Sequence, residues 1–390
     1  MHSRTLGLAF IFWIGTLQAA IALPVHPGIE VLLAHPPTFL LGKRLGLITN
    51  RSAVNSQGVS DIDLLFHDPR FKLVRLFSPE HGLRVDHQGG VSNGKDTVTG
   101  LPVISLYGKT KRPPLASLRG LGALLFDIQD VGARFYTYQS TMALAMQAAK
   151  EAHIPFVVLD RPNPINGRTV EGAVLDPKLA SFVGYYPIPV RHGMTLGELA
   201  RMYNRAFGID CDLRVIPLEG WRRGMWFDQT DLPWVKPSPA MASLQSTILY
   251  PGICFFEATN VDCRIGSIPF TKVGAPWMDG ERYAEALSLH ALKGVRFAPF
   301  HQDDQNGVSI VVTDRDTFDP VLTGLVMISE ALRLYPRNFT IEPHGFDEMT
   351  GESWIREALL KGERPEAIAK AWQGGTKTFL RERAPYLLYP

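Results

Sequence analysis

Three apolar runs in this chain each stop at a cluster of ionisable residues. Leu73-Val74-Arg75-Leu76-Phe77 leads into Ser78-Pro79-Glu80-His81-Gly82. Ala123-Leu124-Leu125-Phe126 leads into Asp127-Ile128-Gln129-Asp130-Val131-Gly132, and Pro155-Phe156-Val157-Val158-Leu159 into Asp160-Arg161-Pro162-Asn163-Pro164. Short apolar runs bounded by Pro and Gly read as buried strands. In an open α/β sheet, ligands bind outside the carboxyl ends of the strands. Three such ends carrying Glu, His, Asp, Arg and Asn therefore describe an active-site rim. Carboxylates, an imidazole and guanidinium groups without a metal or nucleotide motif point to acid–base hydrolysis.

Each cluster has a functional and a purely structural reading. Pro79 ends a strand ladder and Gly82 permits a sharp turn, which would lift Glu80 and His81 into a crevice. The alternative is a helix start, where Glu suits the dipole, but Pro-Glu-His-Gly makes a poor one. Asp127, Gln129 and Asp130 precede Arg134, Tyr136 and Tyr138. Carboxylates and amides bind hydroxyls and aromatic faces stack on pyranose rings, so this set suits a sugar. Equally, Arg134 could simply pair with Asp127 or Asp130. Arg161 and Asn163 lie in a proline-stiffened loop, and Glu171 beyond it is either a second catalytic carboxylate or a solvated loop acid. Arg191 and His192 stand just before Thr195-Leu196-Gly197-Glu198, a capping box. An anion could sit at that helix N-terminus, or His192 could be structural. Glu257 and Asn260 end the apolar run Phe255-Phe256 and could reach a cleft from the second half of the chain.

Other motifs fail on context. Gly90-Val91-Ser92-Asn93-Gly94 matches the string of serine hydrolases, but that motif needs a strand before it and a helix after it; here Asp86-His87-Gln88-Gly89 and Lys95-Asp96-Thr97 flank it. Gly108-Lys109-Thr110 lacks the earlier glycine of a phosphate loop. Neither a dinucleotide fingerprint nor His-Glu-x-x-His is present.

The elements that must hold these groups alternate. Gly46-Leu47-Ile48-Thr49-Asn50 reads as a first strand, with others near Leu73, Val103, Leu124 and Phe156. Met142, Ala145, Met146 and Ala149 recur at helical spacing over Tyr138 to Glu151. The fold class expected is α/β, a Rossmann-like, mainly parallel sheet covered by helices, with a second, smaller α+β domain. Residues 23–240 would form the first and 241–390 the second, closing a cleft suited to a ligand. Trp221 to Pro239, rich in Trp, Pro and Gly, reads as an irregular crossover. In the second region Val308 to Val312 reads as a strand, and Pro320 as the start of a helix running to Tyr335. Trp354 to Leu360 and Pro365 to Trp372 read as helices with Gly362 and Gly374 as stops.

Residues 1–22 carry Arg4, an apolar run from Leu6 to Leu17 and a small-x-small site at Ala20-Ile21-Ala22, which reads as a signal peptide cleaved after Ala22. That implies a secreted or periplasmic protein with no stable membrane insertion after cleavage. A net charge of +2 over 390 residues gives no sign of a nucleic-acid partner. Export would permit a disulfide among Cys211, Cys254 and Cys263, the last two being nearest in sequence.

At these residues the chain resembles the exo-β-N-acetylmuramidases, bacterial peptidoglycan hexosaminidases long classed as a domain of unknown function. The resemblance runs in order through Gly46 to Asn50, Ser78 to Gly82, Leu101-Pro102-Val103, Leu106-Tyr107-Gly108 and Asp127 to Gly132. It continues through Asp160 to Pro164, Glu171-Gly172, Arg191 to Thr195, Tyr250-Pro251-Gly252 and Leu387-Leu388-Tyr389. It implies a Rossmann-like domain plus a smaller one with the site between them, and release of N-acetylmuramic acid from the non-reducing end of glycan fragments without a cofactor. The family's Glu in Pro-Glu-His-Gly falls on Glu80. The chain departs from the family pattern at Ala240, usually Asn, at Ala258, usually Gly, and at Arg264-Ile265-Gly266-Ser267, usually Gly-Arg-Gly-Thr. These departures bear on sugar preference.

The mechanism expected has Glu80 as general acid or acid/base. A second group would be Glu171, Glu257, an acid between Asp127 and Asp130, or the substrate's own acetamido oxygen. Arg134, Arg161 or Arg191 would bind the lactyl carboxylate of muramic acid. Competing readings are a non-catalytic cell-wall glycan-binding protein and, last, an acyl hydrolase using Ser92.

Overall fold

The computed structural model describes residues 24–84, 92–108 and 110–390. The expected signal peptide, residues 1–22, lies outside them. Eleven α-helices are described: α1 (Gly28–Ala34), α2 (Asp61–His67), α3 (Leu115–Leu118), α4 (Tyr138–Glu151), α5 (Leu196–Arg205), α6 (Leu244–Ile253), α7 (Gly280–Ser288), α8 (Pro320–Leu334), α9 (Pro343–Thr350), α10 (Ser353–Leu360) and α11 (Pro365–Arg383).

The large sheet contains β1 (Arg44–Thr49), β2 (Lys72–Ser78), β3 (Gly94–Lys95), β4 (Pro102–Ser105), β5 (Ala123–Asp127), β6 (Phe156–Leu159) and β9 (Leu213–Ile216). Their order is β3-β4-β2-β1-β5-β6-β9, parallel except where β3 runs against β4. A hairpin of β7 (Glu171–Val174) and β8 (Pro189–Arg191) follows β6 in sequence. The second sheet is antiparallel: β10 (Lys272–Ala275), β11 (Val295–Gln302) and β12 (Gln305–Val312), in the order β10-β12-β11.

Strand side chains alternate between faces, and the buried residues of the large sheet divide on that rule. Leu45, Leu47, Ala123, Leu125, Val157 and Leu159 join Ile29 and Leu32 of α1 and Leu65 of α2. Ile48, Leu124, Phe126, Phe156 and Val158 join Met142 and Met146 of α4 and Leu199 of α5. Both faces are covered, which is why these strands read as continuous apolar runs. The second cluster continues without a break into Val273 of β10, Ile310 of β12 and Leu325 of α8.

Two glycines make the approach of α6 to α8 possible. A Cβ on Gly252 would lie 1.7 Å from the Pro320 carbonyl oxygen, and one on Gly324 would lie 2.4 Å from the Gly252 carbonyl oxygen. Pro251 lies near the end of α6, which passes directly into a 3₁₀ turn over Cys254–Ala258 that carries Glu257.

Most expected elements are present, with one correction. Gly374 does not stop the last helix: α11 runs on to Arg383 because Phe379 is buried and Gly375 packs beside Val174 of β7. All three cysteines are free, buried thiols, so the Cys254–Cys263 pairing does not form.

Candidate active site

Strand β2 ends at Ser78, and His81 and Gly82 follow with φ of 69° and 76°. Two successive left-handed residues turn the backbone sharply, and the Gly82 N–H closes the turn on the Pro79 carbonyl at 3.1 Å. The turn projects Glu80 and His81 into a cavity of about 320 Å³. That is near the lower end of small-ligand pockets, about 300–1,000 Å³, and of a size for one sugar ring.

The opposite contributions come from the segment after β4, from the start of α4 and from the second half of the chain. Tyr136, Thr137 and Tyr138 at the start of α4 line the cavity, as do Tyr107, Ser238, Ala240, Tyr250, Glu257 and Arg264. Thr137 precedes α4 but makes no side-chain cap. Its hydroxyl donates instead to Glu80 Oε2 at 2.7 Å. The Tyr107 hydroxyl also bonds Glu80; burial and that carboxylate push the Tyr107 pKa up to about 12. Hydroxyls donate or accept by rotation, so both partners serve either protonation state of Glu80, as an acid/base cycle demands. Tyr138 is anchored by donation to the Pro237 carbonyl at 2.5 Å and by the Asn50 amide at 2.9 Å. Its ring meets Tyr136 edge to face at 4.9 Å.

We expect Tyr107→Phe to lower kcat for a β-N-acetylhexosaminide about 10- to 100-fold, the worth of one hydrogen bond to a charged group. KM should change far less. Steady-state kinetics that left kcat intact would remove Tyr107 from this role.

The other sequence candidates do not line the cavity. Asp127 forms a buried ion pair with Arg161, whose Nη2 lies 3.1 Å from Asp127 Oδ2; Arg161 also donates to the Val54 carbonyl. Arg134 pairs with neither candidate acid. It is fully buried and donates to the carbonyls of Ala173, Ile188 and Met349 at 3.0, 3.0 and 2.6 Å. Arg191 pairs with Glu171 at 3.0 Å. Burial lifts the Glu171 pKa to about 7 against the pull of Arg191. Gln129 donates to the carbonyls of Asp130 and Pro162, and Asn163 to that of Met194. Asn260 is exposed, tying down Asn338 and Thr340. The reason is common to all: these groups sit at strand ends or in loops, but each has a partner inside the protein.

The anion expected at the N-terminus of α5 is the protein's own. Asp160 accepts from Thr195 Oγ1 at 2.7 Å, the Gly197 N–H at 2.8 Å and the Tyr389 hydroxyl at 2.5 Å. The capping box of Thr195 and Glu198 is present. His192 accepts from the Met194 N–H on Nδ1, and burial with the nearby Arg383, Arg134 and Arg191 pushes its pKa down to about 3.

Asp130 accepts from the Gly132 N–H at 2.8 Å, and His192 Nε2 stands 3.8 Å away. Burial pushes the Asp130 pKa from 3.8 to about 7. The folded state therefore holds this proton more tightly than the unfolded chain. The stability it contributes is fully present below about pH 4 and is lost as pH rises through about 7. Asp130→Asn should gain stability relative to the parent over that interval, on the order of 2–4 kcal/mol between pH 4 and pH 8. Thermal melts at both pH values test this; a difference independent of pH would refute it.

Ser92 is exposed in a separate groove beside Arg84 and Asp96, and the short strand β3 follows it rather than a helix. Gly90 and Val91 of its motif lie outside the described residues. The cavity also includes residues that the sequence reading missed as ligand-facing, among them Tyr107, Thr137, Ser238 and Arg264. The sequence signals were the position of Thr137 between two candidate tyrosines, the place of Tyr107 in the family stretch Leu106-Tyr107-Gly108 and the family departure at Arg264.

Comparison with known proteins gives the family and the fold. Residues 45–245 match the family profile described as exo-beta-N-acetylmuramidase NamZ, N-terminal, and residues 248–389 match its C-terminal counterpart. The chain belongs to this family. A peptidoglycan beta-N-acetylmuramidase NamZ of Bacillus subtilis (strain 168) is 45% identical over 98% of both chains. Two crystal structures of DUF1343 family proteins from Bacteroides fragilis NCTC 9343 share the fold. One has a TM-score of 0.88 at 36% identity and the other 0.76 at 30%; each match covers 94% of this chain and 99% of the other.

Proposed function

We propose that Glu80 is the general acid/base of an exo-acting glycoside hydrolase that releases N-acetylmuramic acid from the non-reducing end of peptidoglycan fragments. The family is one of exo-β-N-acetylmuramidases, so the chain is a glycoside hydrolase. The observation that carries the assignment of Glu80 is its place in a sugar-sized cavity, held by two hydroxyls from separate elements. In this reading Glu80 protonates the glycosidic oxygen as the bond breaks and then takes a proton from the incoming water.

The group facing the anomeric carbon is Glu257 or the substrate's 2-acetamido oxygen. Glu257 is the other lining carboxylate among the described residues, and Arg264 donates to its Oε1 through both Nε and Nη2. That engagement favours the acetamido oxygen. Tyr136 and Tyr138 would pack on the sugar. Export by the leader over residues 1–22, and division at about residue 240 into two domains around the cleft, belong to the same proposal.

The test is hydrolysis of para-nitrophenyl β-N-acetylmuramide beside the N-acetylglucosaminide. Preference for the muramide supports the proposal. Cleavage of neither, by a folded protein, would exclude it.

A further inference from the structure

The three arginines that the sequence offers for a substrate carboxylate are all engaged elsewhere. Arg134 holds backbone carbonyls, Arg161 holds Asp127 and Arg191 holds Glu171. Each has at most a few per cent of its surface exposed. Swinging any of them into the cavity would strand a buried carboxylate or buried carbonyls, at a cost of several kcal/mol.

One arginine or lysine remains among the described residues that line the cavity: Arg264. Its side chain is 43% exposed, so an entering ligand can reach it without unfolding anything. It is nevertheless held. Its Nε and Nη2 donate to Glu257 Oε1 at 2.8 and 2.5 Å. The guanidinium carbon stands 5.9 Å from the centre of the Phe270 ring, which also lines the cavity. A guanidinium has five N–H donors in a planar fork, and these bonds use two of them. Glu257 and Phe270 thus fix the plane of a cation at the cavity wall, which lowers the ordering cost of any bond it makes to a ligand.

We propose that Arg264 recognises the free lactyl carboxylate of the muramyl residue and so sets the preference for N-acetylmuramic over N-acetylglucosamine units. This rests on the hydrolase reading above and adds to it the group that reads the substrate's charge. A planar guanidinium matches a carboxylate through two parallel bonds. A neutral amide in the same place would present its NH₂ to N–H donors, losing one bond and the charge. Arg264 therefore also discriminates against muramyl units whose carboxylate is blocked as an amide.

The experiment uses N-acetylmuramic acid and its lactyl carboxamide, titrated calorimetrically into the wild type and into Arg264→Gln and Arg264→Lys. The wild type should bind the acid about 10- to 100-fold more tightly than the amide, the range of a charge-assisted bond. Arg264→Gln should abolish that preference, and Arg264→Lys, which keeps charge without the fork, should retain part of it. In kinetics, Arg264→Gln should lower the ratio of muramide to glucosaminide kcat/KM by the same factor, chiefly through KM. Equal binding of acid and amide by the wild type, or a preference that persists in Arg264→Gln, overturns the proposal. Circular dichroism of the variants separates these outcomes from misfolding. A wild type that binds the acid through Arg264 yet cleaves no glycoside would sink the hydrolase reading alone. Cleavage of muramides with an Arg264-independent preference would sink this inference alone.

Discussion

Glu80→Gln is expected to lower turnover of para-nitrophenyl β-N-acetylmuramide about 10²- to 10⁴-fold, the usual contribution of a general acid or base, with the far-ultraviolet circular dichroism unchanged. Gln has the same shape as Glu and keeps an oxygen for the Thr137 and Tyr107 hydroxyls, so the loss reports chemistry rather than packing. It lacks the proton that the leaving oxygen needs. Nitrophenolate leaves readily without that proton, whereas a sugar alkoxide does not. The deficit should therefore be larger on a muramyl disaccharide than on the nitrophenyl glycoside. Equal turnover by the variant and the parent on both substrates would remove Glu80 from the acid role. An equal, large loss on both would instead assign it to the water-activating step.

The second large effect falls on stability. Arg134→Met should destabilise the protein by about 3–5 kcal/mol, as breaking a buried charged network does. Arg134 stitches together segments far apart in sequence. Its Nη1 donates to Ala173 in β7 and to Ile188 before β8; its Nη2 donates to Met349 and Glu348 in α9. Gly351, with φ of 89°, closes over the guanidinium, where a Cβ would come within 2.7 Å of Nη2. Methionine fills part of the volume but leaves buried carbonyls without donors, at about 1–3 kcal/mol each. Burial already lowers the Arg134 pKa to about 9, against the pull of Glu352 and Tyr203, so the charge is held at a cost that its carbonyl partners offset. A fall in melting temperature of roughly 5 °C or more is expected, with KM for the muramide unchanged in the folded enzyme. A variant with the parent's melting point and a raised KM would return Arg134 to the substrate.

Much of the architecture is legible in local pattern. The alternating faces of the sheet strands, the helix from Tyr138 to Glu151 and the capping box at Thr195 all follow from spacing within a few residues. The turn after β2 is legible too, because Pro79 and Gly82 constrain the backbone on either side of Glu80 and His81. Where local signals meet tertiary packing, packing prevails. Gly374 and Gly375 should weaken a helix, yet α11 continues through them because its far end is buried at Phe379 and Gly375 packs beside Val174 of β7.

Local sequence dictates the set of elements and the position of polar groups at strand ends, since burial period and backbone preference are properties of neighbouring residues. Where each polar group points is set by long-range packing. Asp127, Arg161, Arg134 and Asp160 have the composition of a binding rim, but they are satisfied by groups 34 to 229 residues away. Tyr107, Thr137 and Arg264 carry weaker local signals and face the cavity. A buried charge takes the partner that the fold brings within bonding distance, and that choice depends on the approach of distant segments, which local spacing does not encode.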